Sequence, residues 1–433
     1  MRLWVLVGLL AVAGATCAHA RAGGGDNYSG GDSGSSYSST DSISHDGSSD
    51  EGFLIVFGLI FVLFVVLPAL LILDRVEKAR RKSMAIEAFR SRDPGFSEDL
   101  FLRRTEAVFR RVQEAWSAGD MTPTCALLSD GVFERFQLLL DLQRREGRRN
   151  TLASLKVRKV SLEFADLGTD FDTVDVRIAA SCADRYFSTT DGSLITESKA
   201  SFVEYWSFLR AASARGRAKP GPAEGFCPGC GAGLLVNAAA VCAQCKCWVN
   251  SGEFDWVLAE ITQHSHWEQP IRWGPAQDVE DRASMLFWRW QRCLAYGNAA
   301  ALEGWCSPEG LAAVMDSGVG RTHYERCGVG SVRATYPTQR RGLEAVTFGI
   351  NWSGREGGTQ APSHNYMTLI TLARKPGTRA AVENTLRSAH CGGCGAAIPP
   401  AGSACAHCGT SFKDPAAGWI LVNLHNRIIS TPA

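Results

Sequence analysis

Leu155-Lys156-Val157-Arg158-Lys159-Val160-Ser161-Leu162-Glu163-Phe164 is the stretch that decides the fold. Apolar side chains at Leu155 and Val157, then at Val160, Leu162 and Phe164, recur at a period near two, as in a strand with one buried face. Toward the N-terminus the period lengthens. Phe101, Val108, Val112 and Trp116 form a helical stripe behind Ser97, a candidate N-cap, with Phe96 placed to staple against Phe101 and Gly119 to stop the helix. Asp130 opens a second helix carrying Val132, Phe133, Phe136, Leu139 and Leu140 and ending near Gly147. Toward the C-terminus, Val174, Val176 and Ile178 make another strand, and Phe202, Glu204, Trp206 and Phe208 alternate in a third. Helices followed by a run of strands predict an α+β fold, with the helices on one face of an antiparallel sheet.

The pattern occurs twice. Phe109-Arg110-Arg111-Val112-Gln113 leads to Gly119-Asp120, and Phe287-Trp288-Arg289-Trp290-Gln291 leads to Gly297-Asn298, at an offset of 178 that continues to Ser129 and Ser307. Cys227, Cys230 and Cys245 answer Cys391, Cys394 and Cys408, and eleven residues beyond each last cysteine stands a tryptophan, Trp256 or Trp419. The second copy predicts a helix over Asp281–Tyr296 and strands over Val329–Ala334, Ala345–Trp352 and Tyr366–Ala373. The repeating unit is two helices, a group of strands, a cysteine-rich module and a short Trp-led segment.

Eight of the fifteen cysteines form four CxxC pairs. Cys227/Cys230 and Cys242/Cys245 have eleven residues between the pairs; Cys391/Cys394 and Cys405/Cys408 have ten. A CxxC turn aims two thiolates at one point, and two such turns close a tetrahedral Cys₄ site for Zn²⁺. Gly231 and Gly395 follow the second cysteine, where the backbone must turn without a Cβ. Redox-active CxxC is instead a single pair beside a βαβ pattern. Four thiolates leave no open coordination position, so both sites are expected to be structural, each supplying about 10–16 kcal/mol of folding free energy to its module. Cys247 forms a C-x-C with Cys245 and offers a substitute ligand; His407 lies between ligands as a solvated bystander.

The N-terminal part sets topology. Residues 1–20 read as a signal peptide: Arg2, the apolar Leu3–Ala15, and the small-x-small Ala18-His19-Ala20. Residues 21–52 are rich in Gly, Ser and Asp and too poor in apolar surface to offset chain entropy. Phe53–Leu73 holds 21 residues without a charge, enough to span the roughly 30 Å hydrocarbon core as one transmembrane helix. Acidic Asp26, Asp32, Asp41, Asp46, Asp50 and Glu51 precede the run. Arg75, Lys78, Arg80, Arg81 and Lys82 follow it, so the C-terminal part is expected on the cytosolic side and these five near the membrane surface. Each basic group held there adds about 1 kcal/mol of attraction to anionic lipid. Reducing conditions on that side suit paired thiols.

A net charge of +1 gives no whole-chain reason for nucleic-acid binding, and no basic-aromatic stripe surrounds either cysteine module. The strands offer Asp175, Glu204 and Glu344 without an acid–base partner, and His264 and His266 fall in a connecting segment. No Ser/His/Asp pattern, phosphate-cradling Gly loop or carboxylate–His cluster is present.

Asp93-Pro94-Gly95-Phe96 through Arg149-Asn150, with the Ala115-Trp116-Ser117-Ala118-Gly119-Asp120 turn and the strand ending Tyr205-Trp206-Ser207-Phe208-Leu209-Arg210, resembles the Tim-forty-four-like domain family. That family is named for the scaffold subunit of the mitochondrial presequence translocase. The resemblance covers residues 93–212 and reaches 275–385 through the duplication. It implies cone-like curved antiparallel sheets of the nuclear-transport-factor-two type with an apolar pocket, in which Trp116, Trp206 and Phe208 are candidate lining residues. It carries no catalytic motif, and it implies lipid and protein partners. The combination with zinc ribbons looks like bacterial membrane-anchored members.

The expected map is therefore a signal peptide (1–20), an extracytoplasmic tail (21–52), a transmembrane helix (53–73) and a basic juxtamembrane segment (74–92). A first cone domain (93–215), a zinc ribbon with its Trp-led segment (226–262), a second cone (275–385) and a second ribbon with its Trp-led segment (390–426) follow. The expected protein is a single-pass scaffold of the bacterial inner membrane, N-terminus outside and domains in the cytosol, binding lipid and unidentified protein partners but not nucleic acid. The alternatives are an isomerase- or dehydratase-like enzyme in a cone pocket and a membrane sensor.

Overall fold

The structure, a computed structural model, describes residues 66–430 apart from 216–220, 235–239, 265–266, 268–276, 336–337, 359–360, 379–385, 387, 397 and 399–401. The expected signal peptide, the tail and most of the apolar run Phe53–Leu73 lie outside the described residues. Among the described residues no helix is long and apolar enough to cross a membrane.

The first helix, α1 (Leu67–Arg92), runs unbroken from the last residues of that apolar stretch through the basic segment. Its start leaves Leu70, Ile72, Leu73 and Val76 exposed, each by more than half. Its end buries Ile86 and Phe89, and the Phe89 ring lies 5.2 Å from Phe96 and 6.0 Å from Trp256. Helix α2 (Glu98–Ala118) begins at Ser97, whose hydroxyl accepts from the Leu100 N–H, and ends at Gly119 with φ +74°. The Phe96 and Phe101 rings sit 6.0 Å apart, as a hydrophobic staple requires. Helix α3 (Asp130–Arg145) is capped by Ser129, which accepts from Val132.

Four antiparallel strands follow in the order β1-β2-β3-β4: β1 (Arg148–Leu167), β2 (Phe171–Ser188), β3 (Leu194–Ala211) and β4 (Val257–Gln263). The register sets Val160 opposite Ile178, Val176 opposite Trp206 and Trp206 opposite Ile261. Three register shifts interrupt β1, and Ser154 at one of them has φ +54°; such bulges bend a long strand and increase its twist.

The second unit repeats this plan. Helices α4 (Gln277–Tyr296), α5 (Ala300–Glu303) and α6 (Pro308–Asp316) precede β5 (Tyr324–Ala334), the short β6 (Thr338–Arg340), β7 (Leu343–Glu356), β8 (Ser363–Arg374) and β9 (Ile420–Ser430). The sheet order is β5-β7-β8-β9, with β6 on β7. Ser307 caps α6 as Ser129 caps α3. The Ser129 N–H donates to Leu258 O and the Ser307 N–H to Leu421 O, each at 2.9 Å.

The Trp-led segments, grouped with the ribbons in the sequence reading, are the entrances to the fourth strands. Residues 257–263 pair with β3 and residues 420–430 pair with β8. Each cysteine module is thus inserted between the third and fourth strands of its sheet rather than appended after it. The reason is energetic: four apolar-faced strands bury what three would leave open, and the fourth can arrive from any distance in sequence. An arginine at the end of each third strand marks the equivalence, with Arg210 4.6 Å over the Trp256 ring and Arg374 4.6 Å over that of Trp419. One apolar core runs through both units, from Ile86 to Leu424.

Candidate metal centres

In each unit two hairpin turns present the cysteines. The Cys227 N–H donates to Ala232 O and the Gly231 N–H to Cys227 O; Cys391, Ala396 and Gly395 repeat both bonds, all at 2.8 Å. Gly231 and Gly395 hold φ +77° and +73°, the left-handed backbone expected at the turn. The second turns match as well: Cys242 N–H bonds to Cys247 O, and Cys405 N–H to Thr410 O.

These turns gather Cys227, Cys230, Cys242 and Cys245 into one cluster and Cys391, Cys394, Cys405 and Cys408 into another, with the sulfurs of each set within 4.8 Å of one another. Measured separations are 3.7 Å for Cys227–Cys245, 4.0 Å for Cys230–Cys242, 3.7 Å for Cys391–Cys408 and 3.6 Å for Cys394–Cys405. A tetrahedron with metal–sulfur bonds of 2.3 Å has edges of about 3.8 Å. Both clusters therefore have the size of a four-thiolate metal site. Two thiols of each set are tuned toward the anion, Cys227 and Cys245 in the first and Cys405 and Cys408 in the second; N–H donation from Cys247 lowers the Cys245 thiol to about 6, and the Thr410 hydroxyl and N–H lower that of Cys408 to about 6. His407 is exposed, and only its backbone N–H turns to a ligand, Cys405 Sγ.

A buried polar junction ties both modules to α3. Asp130 accepts from Asn250 Nδ2 at 3.0 Å and from the Ala389 N–H at 2.9 Å, and lies 2.7 Å from His390 Nδ1. Asp281 on α4 accepts from Ser129 Oγ at 2.5 Å and Ser388 Oγ at 2.6 Å, and from the Gly131 N–H. Residues after the first cysteine module and before the second thus converge on one helix N-terminus. Partners up to 260 positions apart leave no pattern in the linear sequence.

The other candidate residues fall elsewhere. Trp116, Trp206 and Phe208 are enclosed in the core. Trp116 donates to Asn150 Oδ1, Trp206 donates to Glu204 and packs 5.1 Å from Phe109, and Phe208 meets Phe101 edge-on. None of the three lines the shallow cleft between the units, whose walls include Val132, Arg135, Glu260, Asp281 and Val329. Of the basic residues after the apolar run, Arg80 and Arg81 both pair with Glu77 at 2.9 Å and Lys82 with Glu98 at 3.2 Å. Arg75 is exposed on α1, which also carries Lys78. Asp175 accepts from Trp267, and Glu344 pairs with Arg374. His264 stacks at 5.8 Å on Tyr205, and His266 lies outside the described residues.

With helices, sheet and junction in view, the first unit can be compared with known families. Residues 82–219 match the family model of the Tim44-like domain. Over these residues the chain is similar to the Tim44-like domain. The match begins within α1 and ends beyond β3, so the matched segment includes the last turns of the basic helix. No curated protein matches the chain at a significant level.

Proposed function

We propose that the chain is a membrane-anchored, non-catalytic binding protein that displays its Tim44-like domain and the repeated second unit on the cytosolic side of a bacterial inner membrane. The observation that carries this reading is the course of α1. The uncharged run Phe53–Leu73 leads into a helix that starts with exposed Leu70, Ile72 and Leu73 and ends with Phe89 in the core of the Tim44-like domain. An anchor joined to a domain through a packed helix fixes that domain's distance from the bilayer. The basic residues favour the cytosolic face, and exposed Arg75 is offered to anionic headgroups. The bulged β1 and β5 support cone-like curvature of both sheets.

In this reading the ion at each cysteine cluster is zinc, the metal that prefers four thiolates in a closed tetrahedral site. Its role is to hold the insert between third and fourth strands. The carboxylates of the strands are engaged in structural contacts, which favours binding over catalysis. Scaffolding of protein partners, with lipid contact at the basic helix, is the activity the Tim44-like domain supports.

The test is topology with capture. A reporter active only in the cytosol, fused after Ala433, is expected to be active, and the chain is expected to stay in the membrane fraction through alkaline extraction. Crosslinking in cells followed by salt-washed purification is expected to retain specific proteins. A reporter active only outside the membrane would overturn the orientation, and release by alkali would overturn the anchor.

A further inference from the structure

Five sulfurs, not four, meet at the first metal centre. Cys247 Sγ lies 3.3 Å from Cys245 Sγ and 3.5 Å from Cys227 Sγ. It also packs on the first turn, where a Cβ at Gly229 would stand 2.9 Å from it. The second centre has Thr410 in that place. Thr410 follows its last ligand by the same two residues, packs on the equivalent Gly393, and has its hydroxyl 3.1 Å from Cys408 Sγ. The backbone bonds of the two centres match, and Cys245 and Cys408 are both exposed. The centres therefore differ in what stands beside the exposed ligand: a thiol in the first, a hydroxyl in the second. A tetrahedral ion uses four sulfurs, so binding by the other four leaves Cys247 with its thiol.

We propose that Cys247 is a resolving thiol that makes the first metal centre, and not the second, open in response to peroxide. The proposal rests on the reading that both clusters hold zinc. The Cys245 sulfur attacks one oxygen of hydrogen peroxide, the O–O bond breaks, hydroxide leaves, and the ligand becomes a sulfenic acid. The Cys247 thiolate then attacks that sulfur. The S–S bond forms as the S–O bond breaks, and the departing hydroxide takes up a proton as water. In sum, one ligand thiolate, one thiol, one hydrogen peroxide and one proton from solvent give one disulfide and two waters. The ion keeps three thiolates and is released more readily. At the second centre a sulfenic acid on Cys408 faces a hydroxyl that forms no disulfide, so any resolving sulfur has to be taken from the metal first.

The experiment uses the purified full chain. Metal content before oxidant reads the zinc assignment, with one equivalent expected per cluster. Hydrogen peroxide is then added, release is followed with a chromogenic chelator, and disulfides are mapped by peptide mass spectrometry. The wild type is expected to release one equivalent fast, together with a Cys245–Cys247 disulfide, and the other slowly. Cys247→Thr is expected to lose the fast phase, and Thr410→Cys to turn the slow equivalent fast. Two equivalents leaving the wild type together, a fast phase that survives in Cys247→Thr, or a reduced Cys247 after fast release would overturn this proposal alone. A chain purified without metal would overturn the zinc assignment and this proposal with it.

Discussion

Asp281 carries its carboxylate where only hydroxyls, an N–H and the neighbouring Asp130 meet it, and it is 3% exposed. Burial outweighs the Ser129 and Ser388 hydrogen bonds and, with the charge of Asp130, raises its pKa from 3.8 to about 7. The folded state then holds a proton that the unfolded chain has released. The associated stability is complete below about pH 4 and is lost as the pH rises toward 7. The apparent Tm is expected to fall between pH 5 and 7 in the wild type, and Asp281→Asn to flatten that slope; equal slopes in both proteins would refute the assignment. Arg210 poses the opposite case. Its guanidinium, 1% exposed, lies 2.8 Å from Asp93 and 3.3 Å from Asp172 and covers Trp256. Arg210→Ala leaves buried carboxylates facing a lost cation and is expected to cost about 3–5 kcal/mol in denaturant unfolding.

At the scale of elements, the connections 212–256 and 375–419 place each cysteine module between two hydrogen-bonded strands. A bound ion shortens the effective loop that the fourth strand must close. Removing metal with a chelator is expected to speed amide exchange in 226–249 and 402–412 first, then in β4 and β9, while β2 stays protected. Uniform exchange across the sheet would show that the modules do not serve closure of the fourth strand. Helix α1 buries Ile86 and Phe89, and Arg92 at its end pairs with Asp172 at 2.7 Å. Phe89→Ala is expected to cost about 3–5 kcal/mol of docking energy and to expose residues 80–92 to limited proteolysis. Unchanged cleavage would mean that the helix is fixed by other contacts.

For the whole molecule, the two units share a face. Helix α3 packs on α4, Arg289 forms a two-pronged pair with Glu134 at 2.5 and 3.1 Å, and the Asp130 and Asp281 junctions bridge the units. Arg289 also lies 4.5 Å over the Trp305 ring. The repeats are accordingly expected to unfold together. A chain ending at residue 276 exposes the inner face of α3 and leaves Asp130 without Ala389 and His390. It is expected to show a lower Tm and faster exchange in α3 than the full chain; an unchanged α3 would mean that the units are independent.

The sequence by itself determined the helix capped at Ser97, the one opening at Asp130, the strand periods, the duplication, the two sets of paired cysteines and the Tim44-like resemblance. Those follow from short-range rules, because caps, turns and alternation involve residues a few positions apart. The match over residues 82–219 bears out the resemblance, and the sulfurs of each set lying together bear out the grouping of the paired cysteines in fours. Only the tertiary structure decided that Trp256 and Trp419 lead into fourth strands, that Thr410 takes the place of Cys247, and that Asp130 and Asp281 join both modules to one helix. Each of these is a pairing across many tens of residues or between repeats. Such pairings are selected by which buried faces and polar groups remain unmet once local structure has formed, and one linear pattern does not encode that choice.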